Sequence, residues 1–412
     1  MAETRDGVAD AALYEKVSAC RSCGCERLSL VLDVGQHPLP DFGQRWSDSS
    51  DGRAITIPGK ATPTPEWRWA PLQLMECEDC TLLQLAHTVD RDAVFRNYWY
   101  TSSINQTMRD HLAQLSRDAR NTAGFETGDT AIDIGCNDGE LLESFQAIEA
   151  VGFEPSSEHA RIAQEKGHVV SPNFFTAAQV LRPPAKLIFT IAMFYSVPDP
   201  NQFVADIKKV LAPDGVWVCE MNTIENFAAT GDYGFIGHEH VALYSVHSFE
   251  RLLERHDLHI SKISFHDING GSTRFSIKHG SASTTWASTV SVPRIANNVK
   301  RHAGKLNATL RAIWADGKTI HALGASTRGV TMVHYAGLHS FIQVVSDRNP
   351  RKHGFCFPGT TIPIVSEESS REMKPDYYLI LPWGFSDEIM AREREAGFDG
   401  KFILPFPEVA IR

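Results

Sequence analysis

The sequence predicts an α/β protein in which two Rossmann-like regions follow a cysteine-rich region. In the middle of the chain, apolar segments at 130–134 and 150–154 flank a glycine turn. Near the end, the same order of apolar segment, glycine turn and apolar segment recurs over residues 319–347. Such alternation is typical of parallel sheets that carry a ligand at the turn. Two C-x-x-C pairs in the first 80 residues indicate a separate metal-binding region.

Length, charge and hydropathy restrict the broad class of protein. A chain of 412 residues is long enough for two or three domains with their own cores, and we expect them at 1–90, 91–283 and 284–412. The formal net charge of −10 argues against nucleic acid or an anionic membrane as the main partner. No apolar run approaches 18 residues, and the first residues have no signal-peptide core, so we expect a cytoplasmic protein. The sequence indicates no oligomeric state.

The cysteine-rich region predicts a structural zinc site. Cytosolic thiols stay reduced, which disfavours disulfides, and each C-x-x-C pair offers two thiolates to one tetrahedral ion. Cys20 with Cys23, and Cys77 with Cys80, would complete a four-sulfur site that has no open position for catalysis. Five prolines between residues 38 and 65 predict a loop-rich insert between the pairs. The alternatives are free thiols with coincidental spacing, or Cys25 in place of Cys23.

The glycine turn DIGCNDG at 133–139 predicts a nucleotide-binding βαβ unit. We expect a strand before the turn and a helix that opens at Glu140. Gly135 and Gly139 allow the backbone to approach a ligand closely. The second strand ends in Glu154, 19 positions after Gly135, where a carboxylate can accept both hydroxyl groups of a ribose. The spacing permits a nicotinamide or an adenosyl cofactor, although it differs from the G-x-G-x-x-G pattern of dehydrogenases.

Further segments extend this unit into a doubly wound sheet. The apolar run 187–194 predicts a buried parallel strand, and residues 203–211 have helical spacing. A Pro-Asp-Gly turn at 213–215 leads into another expected strand at 216–221. We therefore expect the middle of the chain to be one α/β domain.

The last part of the chain predicts a second Rossmann-like domain. We expect a polar helix at 293–314, a strand at 319–323, the glycine turn 324–329, a helix at 330–336 and a strand at 341–345. A helix N-terminus beside Ser326, Thr327 and Arg328 suits an anionic phosphate group. The alternative is a degenerate domain that serves packing only.

Three segments resemble the S-adenosylmethionine site of class I methyltransferases, namely DIGCNDG (133–139), GFEPSS (152–157) and LAPDG (211–215). More narrowly, the chain resembles the three-domain sugar C-methyltransferases of antibiotic deoxysugar pathways, which act on nucleotide-linked keto sugars. The resemblance covers nearly the whole chain and includes both cysteine pairs. Its other segments are LPDF (39–42), YWYTSS (98–103), Glu239-His240, GGSTR (270–274), GASTRG (324–329), DRNP (347–350), PGT (358–360) and PWGFSDE (382–388).

This resemblance implies S-adenosylmethionine as cofactor, a structural Zn²⁺ ion and a nucleotide-linked keto-deoxysugar as the small-molecule acceptor. The residues implied for the cofactor are Gly135, Asn137, Asp138, Gly139, Glu154, Pro155, Asn173, Phe174 and Ala192. The residues implied for the acceptor are Tyr98, Ser196, Tyr244, Arg274, Ser326, Thr327, Arg328, Asp347 and Lys352. Arg328, Arg351 and Lys352 would supply cations for a diphosphate in a chain that is otherwise acidic.

The resemblance also implies that His240 is the base that removes a proton from the carbon next to a ketone. Such a carbon is a nucleophile only as an enolate, which requires a base and a donor for the developing oxyanion. Histidine has a suitable pKa, and Glu239 could orient it or balance its charge. Tyr100 or His238 could donate to the enolate oxygen. The alternatives are that His240 only packs against Tyr244 or binds backbone, and that His238 is structural or solvated.

Two positions depart from the pattern of the family. Gly237 replaces a tyrosine that usually precedes the acidic residue and histidine, and Ser196 replaces a second histidine. The alternative function is therefore a methyltransferase of the same fold with another acceptor, by O-methylation or at a non-sugar carbon acid. A zinc-containing scaffold without enzymatic activity is a third hypothesis, which the intact glycine turn and Glu154 disfavour.

Overall fold

The computed structural model describes residues 13–43, 67–145, 149–281, 290 and 292–412, except for the side chains of residues 293 and 294. Several expectations fall outside this range: the character of the first residues, the boundary at 283 and 284, and the loop around Pro58, Pro63 and Pro65. The proposed domain limits stay predictions. Within the described residues, no helix is long and apolar enough to cross a membrane.

The N-terminal region consists of short antiparallel strands. Its elements are β1 (Tyr14–Lys16), β2 (Leu28–Pro38), β3 (Trp69–Cys77), β4 (Leu83–Leu85), β5 (His87–Val89) and helix α1 (Arg91–Phe95). β1 pairs with β5, whereas β2, β3 and β4 lie in one sheet. Ala70, Leu72 and Leu74 alternate along β3 and are fully buried, so one face of this sheet forms the core.

The middle region is an α/β fold built on a seven-stranded sheet. Its elements are α2 (Gln106–Ala123), β6 (Ala131–Ile134), β7 (Ala150–Phe153), α3 (Ser157–Glu165), β8 (Val169–Ser171), β9 (Ala185–Ile191), α4 (Pro200–Val210), β10 (Leu211–Met221), α5 (Ile224–Thr230), β11 (Ala242–Leu243), α6 (Val246–Glu254), β12 (Leu258–His266) and β13 (Ser272–His279). The sheet has the order β12-β13-β10-β9-β6-β7-β8. Strands β6 to β10 are parallel, whereas β12 and β13 are antiparallel.

Local sequence explains why these elements form. Leu187, Ile188 and Phe189 in β9 are fully buried because helices and loops cover both faces of a parallel sheet. The Asp199 side chain accepts a hydrogen bond from the Gln202 amide at 3.0 Å and so caps α4. Strand β11 pairs with β4 and extends the N-terminal sheet, so the two regions share one sheet.

The C-terminal region is the second Rossmann-like unit that the sequence predicts. Its elements are α7 (Val292–Ala315), β14 (Ile320–Leu323), α8 (Thr327–Tyr335), β15 (Val344–Ser346), β16 (Ile364–Val365), α9 (Glu367–Glu372), β17 (Tyr377–Ile380), α10 (Ser386–Glu395), β18 (Lys401–Leu404) and β19 (Ala410–Ile411). The sheet has the order β16-β15-β14-β17-β18-β19. The chain reverses its direction of winding at β14, and such a point opens a crevice at the carboxyl ends of the strands.

Two expected elements of the middle region differ from the observed ones. The helix expected from Glu140 is only a 3₁₀ turn, Leu142–Ser144, because Phe145 leaves the turn in an extended conformation and packs against Phe189. The strand expected at 187–194 ends at Ile191, since Ala192 has a φ of 54° that a strand cannot continue. The second break lies at the carboxyl edge of the sheet, where a ligand would meet the backbone.

Candidate active site

One cavity of about 360 Å³ reaches both glycine turns. It is lined by Gly135 after β6 and by Gly324 after β14, and His240 and Glu239 form part of the wall. The carboxyl ends of the strands in two Rossmann-like units therefore face a common space. This is the position where α/β sheets bind their ligands.

The end of the cavity at Gly135 is organised by a buried carboxyl group. Glu154 accepts hydrogen bonds from the Asn137 amide at 2.9 Å and the Ser156 amide at 2.8 Å. Burial raises the pKa of Glu154 to about 7. Each carboxyl oxygen keeps a further lone pair, so the group can accept the two hydroxyl groups of a ribose.

Most residues implied for the cofactor line this cavity, and two do not. Those in the wall are Gly135, Asn137, Glu154, Pro155, Asn173, Phe174 and Ala192. Asp138 and Gly139 are not in the cavity wall, and their contact with the cofactor stays a prediction. Asp138 accepts a hydrogen bond from the Ser103 amide at 3.3 Å, and a Cβ atom on Gly139 would lie 2.9 Å from the His168 ring. Both residues have contacts that stabilise the turn.

The segment at 98–103 covers the first turn. The Asn137 side chain donates to the Tyr100 carbonyl at 2.9 Å and accepts from the Ser102 amide at 2.9 Å. The Tyr100 hydroxyl is buried and has no hydrogen-bond partner among the described residues. Burial also holds the pKa of Tyr100 above its ordinary value, so the hydroxyl stays a donor. Tyr100 and Tyr98 both line the cavity.

His240 is held as a neutral imidazole. Its Nδ1 atom lies 2.6 Å from the Phe235 carbonyl oxygen, which can only accept, so Nδ1 carries the hydrogen. Burial lowers the pKa of His240 to about 3, and Arg328 acts in the same direction. The Tyr195 and Phe235 rings each lie 4.4 Å from the imidazole and fix its plane. The Nε2 atom is therefore an available acceptor, which is the state that a base requires.

Glu239 joins this histidine to the C-terminal region. Its Oε1 atom lies 3.4 Å from His240 Nε2 and accepts a hydrogen bond from the Thr327 hydroxyl at 2.6 Å. Burial raises the pKa of Glu239, whereas Thr327, Arg328 and Tyr98 oppose the rise. Thr327, which was expected to bind phosphate, thus holds the Glu239 carboxyl group beside His240.

Three residues implied for catalysis or for the acceptor lie outside this cavity. His238 is buried at the N-terminal region, where its Nε2 atom lies 3.4 Å from the His37 carbonyl. Tyr244 is fully buried among aromatic rings, with Phe194 at 5.2 Å. Arg274 donates from Nε to Glu220 at 2.6 Å. In each case the core or a buried ion pair takes the side chain, so these placements do not support the predicted roles, which stay predictions.

The remaining residues implied for the acceptor line the cavity, but several are already engaged. Ser326 caps α8 by accepting a hydrogen bond from the Gly329 amide at 3.1 Å. Arg328 donates to Asn222 at 2.8 Å and lies 3.5 Å from Asp232. Lys352 donates to the Ala325 carbonyl at 2.7 Å and lies 3.2 Å from Asp347.

Arg351 is not part of the wall and stacks over Trp99 at 5.3 Å. Ser196 lines the cavity, whereas Gly237 does not.

Several cavity residues were missed by the sequence analysis. Glu220 lies in β10, one residue before its carboxyl end, and is bound by His111 at 2.6 Å. Arg348 donates to the Asn105 side chain at 2.9 Å, and Trp383 donates to Asp232 at 2.9 Å. Glu220 ends a strand that was correctly predicted, and Arg348 and Trp383 lie within the quoted segments. Their position at the carboxyl ends of strands was a signal that could have identified them.

The four predicted cysteines meet in the N-terminal region. The sulfur atoms of Cys20, Cys23, Cys77 and Cys80 all lie within 4.8 Å of one another. Two of these separations are 3.5 Å, close to the distance of about 3.8 Å expected between ligands of a tetrahedral zinc ion with bonds of about 2.3 Å. Cys25 lies outside the group, which answers the alternative that it replaces Cys23. The donor set therefore fits a structural zinc ion.

The chain is similar to known proteins in two ranges. Residues 100–263 match the family described as a methyltransferase domain, and residues 290–407 match the family described as a C-methyltransferase C-terminal domain. The C-methyltransferase NovU of Streptomyces niveus is 28% identical over 424 residues, which cover 97% of this chain and 98% of that protein.

Solved structures resemble the chain only weakly. The mitomycin 7-O-methyltransferase MmcR is 18% identical with a TM-score of 0.33, over 43% of this chain and 59% of that chain. A S-adenosylmethionine-dependent methyltransferase from Clostridium acetobutylicum is 11% identical with a TM-score of 0.34, over 42% of this chain and 92% of that chain. Similarity at this level carries no argument about the acceptor.

Proposed function

We propose that this chain, which belongs to the S-adenosylmethionine-dependent C-methyltransferases, methylates a carbon atom next to the carbonyl group of a nucleotide-linked keto-deoxysugar. The observation that carries this proposal is that one cavity is lined by both glycine turns and, between them, by His240 and Glu239. One turn suits the cofactor, and the other suits the nucleotide end of an acceptor. The base lies between them, where a methyl group and a carbon atom would meet.

The residues around His240 suit deprotonation of a carbon acid. When bound, S-adenosylmethionine supplies a methyl group that is already strongly electrophilic, so the protein must chiefly position both substrates and create a nucleophile. His240 Nε2 takes the proton from the carbon next to the ketone, and the electron pair stays on the substrate as an enolate. The Glu239 carboxyl group, 3.4 Å away, stabilises the charged imidazole. The buried Tyr100 hydroxyl, which has no partner within the described part of the chain, is a suitable donor for the enolate oxygen.

The C-terminal turn supplies the groups for the nucleotide diphosphate. The N-terminus of α8 points its amides at the turn, and Arg328 and Arg348 line the cavity. Arg348 is a stronger candidate for a phosphate contact than Lys352, because Lys352 already lies 3.2 Å from Asp347 and Arg348 lies 4.0 Å from Glu388. This assignment adds a cation that the sequence analysis did not include.

A direct assay tests the acceptor class. Nucleotide-linked 4-keto-6-deoxy sugars are incubated with the protein and a labelled methyl donor, and the products are identified by mass spectrometry and NMR. We expect a new carbon–carbon bond next to the keto group. We also expect deuterium from solvent to enter that carbon without methyl donor. Methylated product without such exchange would favour the alternative, O-methylation or a non-sugar acceptor, for which the Ser196 side chain in the cavity wall is the motivating difference.

We also propose that Cys20, Cys23, Cys77 and Cys80 hold one structural zinc ion. Thiolate sites of this kind stabilise the fold around them, and here the metal would tie the start of the chain to the turn after β3. We expect one zinc per chain in metal analysis of the purified protein. Cys77→Ser should lose the metal and lower the thermal unfolding temperature, whereas the matched Cys25→Ser should retain both. Zinc-free protein with an unchanged unfolding temperature would contradict the proposal.

A further inference from the structure

Tyr195 is a cavity residue that the reaction proposed above does not use. It lies in a 3₁₀ turn, Phe194–Ser196, which follows β9. Ala192, with its φ of 54°, ends the strand before this turn. Tyr195 lines the main cavity and is 4% exposed. A buried tyrosine that borders the ligand space at the carboxyl edge of a parallel sheet is well placed to contact a ligand.

The Tyr195 ring is fixed beside His240. The two ring centroids lie 4.4 Å apart with an angle of 72° between the planes, which is an edge-to-face contact. Phe235 contacts both rings, at 5.1 Å from Tyr195 and 4.4 Å from His240. These aromatic contacts restrict the orientation of the Tyr195 ring relative to the base. A phenol and an imidazole are therefore neighbours in the wall of the same cavity.

Arg328 is the charged neighbour of this phenol. Its guanidinium carbon lies 5.0 Å from the centroid of the Phe235 ring, which Tyr195 also contacts. Burial raises the pKa of Tyr195, and Arg328 opposes the rise through its charge and a hydrogen bond. Arginine has donors and no acceptor, so the phenol oxygen accepts in this hydrogen bond. The phenol hydrogen then remains available for a ligand.

Acceptors of the middle region hold the guanidinium group in place. Arg328 Nη1 donates to the Asn269 carbonyl at 2.8 Å, and Nη2 donates to the Asn222 side chain at 2.8 Å. Asp232 lies 3.5 Å from Nη1 and balances the charge. A guanidinium group has five N–H groups, so these three acceptors leave N–H groups for Tyr195. Because its partners are fixed, Arg328 can orient the phenol without rearrangement during the reaction.

The C-methylation proposed above requires donors beside the base. When His240 Nε2 removes the proton, the electron pair of the C–H bond stays on the substrate and negative charge develops on the keto oxygen. That oxygen has lone pairs for more than one donor, and Tyr100 is one candidate. The enolate carbon then forms a bond to the methyl group, the carbonyl group is restored, and the sulfur keeps the electron pair of the bond that breaks. Tyr195 would donate a hydrogen bond throughout and lose no proton.

We propose that Tyr195 is a second catalytic donor to the keto oxygen, and that Arg328 is the positioning residue that acts through it. The proposal rests on the C-methylation proposed above. Arg328 belongs to α8 of the C-terminal region, whereas Tyr195 and His240 belong to the middle region. The C-terminal region thus completes a catalytic group of the other region. Arg348 remains the candidate cation for the diphosphate.

Tyr195→Phe tests the donor, because it removes the hydroxyl and keeps the ring contacts. We expect turnover to fall about 10²–10³-fold, as for the loss of one oxyanion donor. Exchange of substrate hydrogen with solvent in the absence of methyl donor should fall by the same factor, since both processes pass through the enolate. Titration calorimetry should give wild-type affinities for S-adenosylhomocysteine and for thymidine and uridine diphosphate.

The matched control is Tyr233→Phe. Tyr233 is 1% exposed, its hydroxyl has no hydrogen-bond partner among the residues that the structure describes, and it is not in the wall of the main cavity. This variant also removes one buried hydroxyl and should keep wild-type turnover and exchange.

A double-variant cycle tests the role of Arg328. Arg328→Lys keeps the positive charge, but an ammonium group cannot serve Asn222, Asn269 and Tyr195 with the geometry of a guanidinium group. If Arg328 acts through Tyr195, Arg328→Lys should slow exchange about tenfold in the wild-type background and about twofold or less in Tyr195→Phe. A purely structural role would slow exchange equally in both backgrounds. Affinity for the two nucleoside diphosphates should stay at the wild-type value in Arg328→Lys.

Three outcomes would overturn the assignment. Wild-type exchange in Tyr195→Phe would leave Tyr100 as the donor. Equal losses from Arg328→Lys in the two backgrounds would show that Arg328 does not act through Tyr195. Weaker binding of the nucleoside diphosphates by Arg328→Lys, with unchanged exchange, would place Arg328 at the diphosphate. Failure of the C-methylation proposal differs from all three, because the wild-type protein would then neither exchange nor methylate a keto sugar.

Discussion

The turn at Gly135 and the turn at Gly324 correspond in their backbone hydrogen bonds. The Gly135 amide donates to the Phe153 carbonyl at 2.7 Å, and the Gly324 amide donates to the Ser346 carbonyl at 2.7 Å. The two glycines have φ values of 76° and 83°, in the left-handed region where glycine is favoured. Both turns thus bring the backbone to the carboxyl edge of a parallel sheet in the same way.

The acidic residue after the second strand also corresponds, but its surroundings differ. Glu154 accepts from the Asn137 amide at 2.9 Å, and Asp347 accepts from the Ala325 amide at 2.7 Å. Lys352 lies 3.2 Å from Asp347, whereas no Lys, Arg or His of the described residues lies within ion-pair distance of Glu154. The same backbone turn can therefore present two kinds of acidic side chain. Glu154 remains free to accept further hydrogen bonds, whereas the charge of Asp347 is balanced by Lys352.

The largest expected effect concerns the residue between the two turns. His240→Ala should lower turnover by about 10²–10⁴-fold, because general-base catalysis typically contributes that much. Affinity for S-adenosylhomocysteine should remain near the wild-type value in calorimetry, since His240 has no part in the Gly135 turn. The control is His321→Ala, which removes a buried histidine outside the cavity and should keep wild-type turnover. If His240→Ala turns over within a few-fold of wild type, another residue is the base.

A large effect on stability is expected when the ion pair of the second turn is broken. Asp347→Ala would leave Lys352 buried without its partner, which should cost about 3–5 kcal/mol of unfolding free energy. Urea unfolding followed by the fluorescence of tryptophans in the C-terminal region measures the change. The double variant Asp347→Ala with Lys352→Met should recover much of the loss. A double variant as unstable as the single one would show that the lost amide hydrogen bonds, rather than the cation, set the cost.

A smaller effect should show that Glu154, and not Asp347, contributes to binding of the cofactor. Glu154→Ala should weaken S-adenosylhomocysteine binding by about 1–3 kcal/mol, because buried ribose hydroxyls would lose their partner. The comparison variant is Asp347→Asn, which keeps the shape of the side chain and should leave this affinity unchanged. Titration calorimetry on both variants checks the pair. Equal losses in the two variants would mean that the cofactor contacts both turns.

The last prediction concerns His37, which lies outside both turns, and the change in folding stability with pH. Burial lowers the pKa of His37 to about 2 from an ordinary value of 6.5. As pH falls below 6.5, the unfolded chain binds a proton that the folded chain does not, so the folded state loses stability. Between pH 7 and pH 5 this residue should cost about 2 kcal/mol. Urea unfolding of wild type and His37→Leu at both pH values should show the slope with pH reduced in the variant; equal slopes would contradict it.

The family and the fold class could be predicted because they depend on local patterns. The C-x-x-C spacing, the two glycine turns and the apolar strands each specify structure over a few residues, and the comparisons support the C-methyltransferase family. Ser326, Arg328 and Glu154 lie in the cavity wall, and their contacts with ligands stay predictions. The acceptor sugar and the catalytic assignments stay predictions, since no local pattern specifies the shape of a distant pocket.

The sequence by itself determined which segments form the turns, the acidic strand ends and the cysteine cluster, because neighbouring residues decide backbone conformation and spacing. Only the tertiary structure decided which side chains face the cavity. Arg274 turns to Glu220, Tyr244 enters the aromatic core, and Lys352 pairs with Asp347. A charged or aromatic side chain takes the partner that offsets its desolvation, and that partner comes from a distant part of the chain.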